Sequence, residues 1–162
     1  MRRVIAGSML LLATGAGLVW LALPYIWLPS GTSTIGLWRA AEAFHQCSRD
    51  VPHSDGGYWL PTATEIVELE LELWPTLEQR DKLGQPVPPR FQQFRRQYIG
   101  FTRNGERLIY GNFSAWPEDE PWREWSLLER PVNVCDGGRY FWGIVYRPKS
   151  KQFEEPQFNG VG

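Results

Sequence analysis

Only two histidines and two cysteines occur among the 162 residues, and that scarcity removes several kinds of chemistry at once. A structural zinc site needs four ligands, usually supplied as paired short motifs. His45, Cys47, Asp50, His53 and Asp55 lie close together in the chain. His-x-Cys with the next histidine six residues on is not such a motif, so the stretch reads as a surface loop and neither metal nor other cofactor is expected. There is no Gly-x-Ser-x-Gly elbow and no papain-like cysteine context, so the sequence offers no nucleophile set beside a base. An excess of positive charge is missing as well: 17 basic residues stand against 18 acidic ones, a formal net charge of -1. That balance excludes the phosphate-neutralising surface of a nucleic-acid binder. No low-complexity tract and no internal repeat beyond two hairpins is present, and the length suits one ordinary domain plus a targeting segment.

From residue 4 to residue 29 charge is absent altogether (VIAGSMLLLATGAGLVWLALPYIWLP). About 20 consecutive apolar residues span a bilayer as a helix. Arg2 and Arg3 precede the run and no further positive charge follows until Arg39. This bias places the N-terminus in the cytoplasm and the rest of the chain on the periplasmic side of a bacterial inner membrane. Trp20, Tyr25 and Trp27 cluster at the far end, where amphipathic rings favour the interface. A cleaved signal peptide is the alternative, since Ala13, Gly15 and Ala16 follow the arginine pair and first apolar residues. The run continues through Leu28, which favours an uncleaved anchor. The expected organisation is an anchor over residues 1–30, a short polar linker over 31–36 and a periplasmic domain over 37–162. Both cysteines then fall in the exported part, and an even count in an oxidising compartment reads as a disulfide between Cys47 and Cys135, with two free buried thiols as the alternative.

Within that domain, Leu37 to Cys47 has helix formers and apolar positions suited to a short amphipathic helix, and Asp50 to Gly57 is turn chemistry. Thr62 to Leu83 admits two periodicities. Val67, Leu69, Leu71 and Leu73 alternate as in a strand, whereas Ile66, Leu69, Leu73 and Leu77 share a helical face. A capping box of Thr62 and Glu65 and the run of Leu and Glu favour a helix, kinked at Pro75, with its glutamates on a solvated face. Asn104-Gly105 between two strand-like runs predicts a type I' hairpin with Arg103 facing Glu106, Phe101 facing Leu108 and Ile99 facing Tyr110. Ser114 to Pro131 reads as a long excursion and Val132 to Cys135 as a short strand. Tyr140 to Tyr146, apolar on both alternations, reads as a central strand covered on both faces. A turn at Arg147-Pro148-Lys149-Ser150 leads to an edge strand over Phe153 to Phe158. The fold class expected is α+β: after the N-terminal transmembrane helix, a helix packed on a four- to five-stranded antiparallel sheet, cystatin-like or a related helix-grip.

The binding candidates lie in the excursion. Trp116, Glu118, Asp119, Glu120, Trp122 and Trp125 combine aromatic faces that stack on sugars with carboxylates that bind hydroxyls, as a glycan-facing envelope protein would need. The bland reading is that the tryptophans fold back onto the sheet and the acids are solvated. Asp136-Gly137-Gly138 could form a backbone anion nest, but no helix follows it, and a structural turn is the better reading.

The C-terminal Cys-Asp-Gly-Gly (Cys135 to Gly138), the alternating aromatic strand and the closing Phe158-Asn159-Gly160 resemble those of small uncharacterised bacterial envelope proteins. The matching pieces are Tyr98 to Phe113 and Val134 to Gly160. The resemblance implies a cysteine just after an Asn-x-Phe-like motif, where this chain has Ser114, and so leaves Cys47 as the partner for Cys135. It brings no established activity. Together these observations lead to the expectation of a membrane-anchored periplasmic domain, noncatalytic, binding a protein or peptide. A glycan-binding or cell-wall-acting module using Trp116 to Trp125, and a structural subunit of an envelope complex, are the alternatives.

Overall fold

The computed structural model describes residues 28–89, 94–115 and 128–162. The chain is α+β, with one long helix and a mostly antiparallel sheet. In order come β1 (Thr32–Ile35), a 3-10 turn (Leu37–Arg39), α1 (Ala40–Ala43), β2 (Tyr58–Trp59), α2 (Ala63–Lys82), β3 (Phe94–Arg103), β4 (Glu106–Ala115), β5 (Leu128–Glu129), a second 3-10 turn (Gly138–Tyr140), β6 (Phe141–Arg147), β7 (Gln152–Phe153) and β8 (Gln157–Phe158). The sheet runs β5-β1-β3-β4-β6-β7, with β2 added to β3 and β8 to β6. Among the described residues no helix is long and apolar enough to cross a membrane, and the expected anchor lies outside them up to residue 27.

The helical phase of α2 is the one its buried residues obey. Ile66, Leu69, Leu73 and Leu77 are fully buried, while Val67 and Leu71 of the competing alternation are exposed. Thr62 Oγ1 accepts from the Glu65 amide and Glu65 Oε2 accepts from the Thr62 amide, so the capping box forms as expected. Pro75 does not end the helix. It sits on the exposed side, and Thr76 Oγ1 donates to the Glu72 carbonyl one turn back, so a carbonyl next to the missing amide bond keeps a partner.

The β3–β4 hairpin has the expected register at all three pairs, with Asn104 and Gly105 in the left-handed region that a type I' turn requires. Its residues divide between two cores. Tyr98, Ile109 and Phe113 join Trp142, Ile144 and Tyr146 of β6 beneath α2. Ile99, Phe101, Leu108, Tyr110 and Val145 form the other face, closed by Ile35, Ala40, Ala43 and Phe44. Strand β6 is therefore covered on both sides, as its double apolar alternation implies.

Six expectations are corrected. The linker at 31–36 is largely β1, a sheet strand parallel to β3 and β5, and among the described residues the sheet has eight strands where four or five are expected. The helix expected over Leu37 to Cys47 shrinks to a 3-10 turn and the four residues of α1, because Phe44 turns in to pack against Tyr58, Phe101 and Tyr110. The strand expected at Val132 to Cys135 is irregular, and the paired residues lie earlier, at β5, inside the stretch read as excursion. The edge strand at Phe153 to Phe158 is split into β7 and β8 around a buried Pro156, which cannot donate to a ladder. Finally, Glu70 does not belong to a solvated face.

Glu70 is buried beneath the sheet face that carries β3, with Arg96 Nε and Tyr98 Oη each donating to its Oε1 at 2.6 Å. Arg96 in turn donates from Nη1 to the Phe94 carbonyl and from Nη2 to the Ser30 carbonyl. The buried pair therefore ties α2, β3 and the chain entering β1 together. Removing one partner leaves an uncompensated buried charge, which costs about 3–5 kcal/mol, whereas replacing both by apolar groups is often close to neutral. Glu70→Ala is expected to lose stability in that range by urea denaturation, and Glu70→Leu with Arg96→Met to regain most of it; a double variant as unstable as the single one contradicts this account.

Candidate functional site

The second core is bordered by a belt of polar side chains. Residues 130–136 have no ladder beyond β5, and their backbone groups are taken up by amide side chains instead. Gln97 Nε2 donates to the Arg130 carbonyl and Gln97 Oε1 accepts from the Val132 amide. Asn112 Nδ2 and Gln46 Nε2 both donate to the Val132 carbonyl. Asn159 Nδ2 donates to the carbonyls of Val134 and Asp136. The strand expected here is thus replaced by three buried amides that satisfy the same donors and acceptors.

Those amides also orient a buried cation. Arg49 is buried, and its guanidinium donates to Asn159 Oδ1 at 2.8 Å, to Asn112 Oδ1, and to the Tyr110 hydroxyl at 3.3 Å. Among the described residues no carboxylate pairs with it. An arginine out of water with only neutral acceptors is held by hydrogen bonds and not by a counter-ion, so each acceptor matters more than in an ion pair. The segment carrying Arg49 is tied down by the Cys47–Cys135 disulfide, whose partners are 88 residues apart, by Asn133 Nδ2 donating to the His45 carbonyl, and by the Gly160 amide donating to the Ser48 carbonyl. Both cysteines are solvent-exposed.

Above this belt lies a cleft of about 310 Å³ with Tyr110 in its floor. Asp50, His53, Glu154, Gln157 and Gly143 also line it. A Cβ at Gly143 would overlap the Tyr110 hydroxyl, so glycine is what lets the phenol lie across β6. Arg103, on the same rim, is engaged by Glu154, which also accepts from Arg147. Burial pushes the Tyr110 hydroxyl above its ordinary value of 10.0, with the Arg49 charge and hydrogen bond opposing. Tyr98, on the other face, is pushed well above the same value by burial and then by the Glu70 charge, Arg96 opposing. Both phenols are held neutral, and at Tyr110 this gives the cleft a floor that takes part in hydrogen bonds without carrying charge.

The cluster read as a surface loop divides accordingly: Cys47 is in the disulfide, Asp55 accepts from the Asn104 amide at the hairpin tip, and Asp50 and His53 reach the cleft. No group of potential metal ligands gathers among the described residues. Asp136-Gly137-Gly138 is a structural turn in which Gly137 and Gly138 take positive φ, and the Gly138 amide donates to the Gly160 carbonyl. Trp116, Glu118, Asp119, Glu120, Trp122 and Trp125 lie outside the described residues. Sequence reasoning passed over Arg49, Gln97 and Asn112. Single polar residues in strands and turns carry no periodicity, and only the Asn159 of the closing Phe-Asn-Gly stood out.

Arg49→Met is expected to cost about 3 kcal/mol in denaturant unfolding, because it strands three buried acceptors. Reduction of the disulfide is expected to cost up to about 4 kcal/mol. The two losses should be less than additive, since the same segment is released in both; full additivity separates the disulfide from the arginine network. A second expectation concerns alkali. Tyrosines in the unfolded chain ionise near 10.0 while Tyr98 and Tyr110 keep their protons, so above that pH the unfolded state binds fewer protons and stability falls. The unfolding midpoint should be level up to about pH 9 and decline above about pH 10, and Tyr110→Phe should make the decline shallower; an unchanged slope removes Tyr110 as a source. Comparison of the chain with protein-family models, with curated proteins and with solved structures finds no match.

Proposed function

We propose that this chain is a noncatalytic accessory domain of the bacterial cell envelope that binds a protein or peptide partner, anchored in the inner membrane by its N-terminal apolar run with the folded part in the periplasm. The observation that carries the reading is how the polar groups are used. Arg49, Asn112, Gln97 and Asn159 are engaged with one another and with backbone, so they support the scaffold. The cleft they underlie pairs His53 with no serine, threonine or cysteine among its lining residues, and its phenol is neutral and already accepts from Arg49. Such a surface is suited to recognition more than to turnover.

Two further observations support the location. The disulfide joins exposed cysteines, which an oxidising compartment preserves and a cytosolic one reduces. Leu28, near the end of the apolar run, packs against the α2 core and the Ser30 carbonyl accepts from Arg96, so no long spacer separates the end of that run from the folded part. The finer fold reading, cystatin-like or a related helix-grip, rests on the single long helix lying on one face of the sheet; the parallel β1 is its departure from that pattern. The glycan-binding alternative and the role of structural subunit rest on Trp116 to Trp125 and on residues 1–27, which lie outside the described residues.

The test is capture from envelope extract with the full chain, comparing wild type, Asp50→Asn with His53→Ala, and Trp122→Ala with Trp125→Ala. Loss of a captured peptide or protein in the first double variant places recognition at the cleft, and loss in the second places it on the excursion. A partner held equally by all three defeats both sites, and a reporter fused to the C-terminus that is active only in the cytoplasm defeats the location.

A further inference from the structure

On the opposite face of the sheet from the Tyr110 cleft, where the β3–β4 hairpin tip meets the β6–β7 turn and the start of α2, lies a depression of about 620 Å³. Its floor is Trp59. The indole lies flat on β3, since a Cβ at Gly100 would overlap the ring, and its Nε1 donates to the Phe101 carbonyl at 3.2 Å. On the outer face of the same ring sits the guanidinium of Arg107, with Cζ 3.8 Å from the ring centroid. The arginine is thus held against the ring by a cation–π contact, which needs none of its N–H groups as hydrogen-bond donors.

Arg107 donates no hydrogen bond to the described residues; its one ion pair among them is a long one, from Nη2 to Glu65 Oε1 at 4.0 Å, which leaves its hydrogen-bonding capacity open. Lys149, on the neighbouring turn, is exposed and makes no hydrogen bond or ion pair with them. The acids of the rim are by contrast already engaged. Glu65 Oε2 accepts from the amide and hydroxyl of Thr62 in the capping box, and Glu106 Oε2 accepts from Arg147. Asp55, beside the hairpin tip, accepts from the Asn104 amide.

From this geometry we propose that the Trp59–Arg107–Lys149 depression binds an anionic group, a carboxylate or phosphate carried by a small molecule or by the end of a chain. The fixed guanidinium supplies paired donors to two oxygens of the ligand, and Lys149 adds a mobile point charge. The depression has room for more of the ligand than its anionic end, and Pro148 with the Gly105 backbone would meet that remainder. The site is independent of the peptide-binding proposal, because it shares no lining residue with the Tyr110 cleft.

The test titrates the full-length chain, followed by the indole N–H of Trp59 and the amide of Gly105 in NMR. Three probes are used: N-acetyl-alanyl-alanine, the same dipeptide as its C-terminal amide, and phenyl phosphate. Saturable shifts with the free dipeptide and none with its amide identify a carboxylate site; saturable shifts with phenyl phosphate identify phosphate as the second source. Arg107→Gln should weaken binding about tenfold or more, equivalent to roughly 1.4 kcal/mol. Arg107→Lys should weaken it nearly as far, because charge without the planar fork does not hold two oxygens. Lys149→Gln should weaken it less while leaving the unfolding midpoint unchanged, which keeps the test open if the Arg107 variants unfold. No saturable shift with either anion at millimolar concentration, equal binding of the dipeptide and its amide, or unchanged affinity in both Arg107→Gln and Lys149→Gln would overturn the assignment.

Discussion

A buried arginine with no carboxylate beside it among the described residues depends on neutral oxygens, and the placement of Arg49 constrains much of the described second half of the chain. Its acceptors come from β4 (Tyr110 and Asn112) and from the residue after β8 (Asn159). Each of the two asparagines uses its other end to hold the segment between β5 and β6. Because a guanidinium takes hydrogen bonds only as a donor, it forces both amide oxygens toward itself and both amide nitrogens toward the backbone carbonyls of residues 132–136. One charge therefore sets the orientation of two side chains, and those set the path of a segment with no ladder of its own. The disulfide at Cys47 and Cys135 connects the arginine's own segment to that same path.

Arg96 solves the same problem differently. It is paired with Glu70 across the α2 interface, with Tyr98 completing the carboxylate's shell. An ion pair of this kind is strong once formed but carries the desolvation of two charges, and its net value depends on every remaining donor being met. Here Arg96 does meet them, through the carbonyls of Phe94 and Ser30. The sheet thus has a charged fastening on the helix side and a neutral-acceptor fastening on the other. The helix side needs to bring three separated segments into register, and the far side needs to fasten irregular chain, for which amides that both donate and accept are the suitable groups.

Periodic features were legible in the sequence because periodicity is a property of several residues at once. Ile66, Leu69, Leu73 and Leu77 specify the helix, Asn104-Gly105 specifies the hairpin, and the doubled alternation of Trp142 to Tyr146 specifies a strand covered on both sides. The pairing of Cys47 with Cys135 followed from count and compartment. What escaped was aperiodic or depended on distant partners. Thr32 to Ile35 is polar and short, and becomes a strand only because β3 and β5 lie on either side of it. Glu70 resembles its neighbouring glutamates in sequence and differs from them only in facing Arg96. Val132 to Cys135 has the composition of a strand, but its hydrogen bonds are taken by Gln46, Gln97, Asn112 and Asn159, residues that no local window connects to it.

The glycines show how the same sheet can serve as scaffold on one stretch and as surface on another. Gly143 and Gly100 each lie beneath an aromatic ring from a neighbouring strand, Tyr110 and Trp59 respectively, on opposite faces of the sheet. In both places the missing side chain lets the ring lie down on the backbone, and in both an arginine meets that ring. At Tyr110 the arginine is buried, donates to the hydroxyl, and is surrounded by acceptors that come from within the chain. At Trp59 the arginine rests on the ring face at the surface, side chain 63% exposed, and the described residues offer it only the Glu65 carboxylate at 4.0 Å, beyond hydrogen-bonding distance. The indole accounts for this contrast: its ring nitrogen is a donor already bound to Phe101, so it can support a cation only by its π face and offers the guanidinium edge nothing. An arginine on a phenol with amides around it closes a structure, whereas an arginine on an indole at the rim of a depression leaves its hydrogen-bonding capacity to whatever arrives from outside.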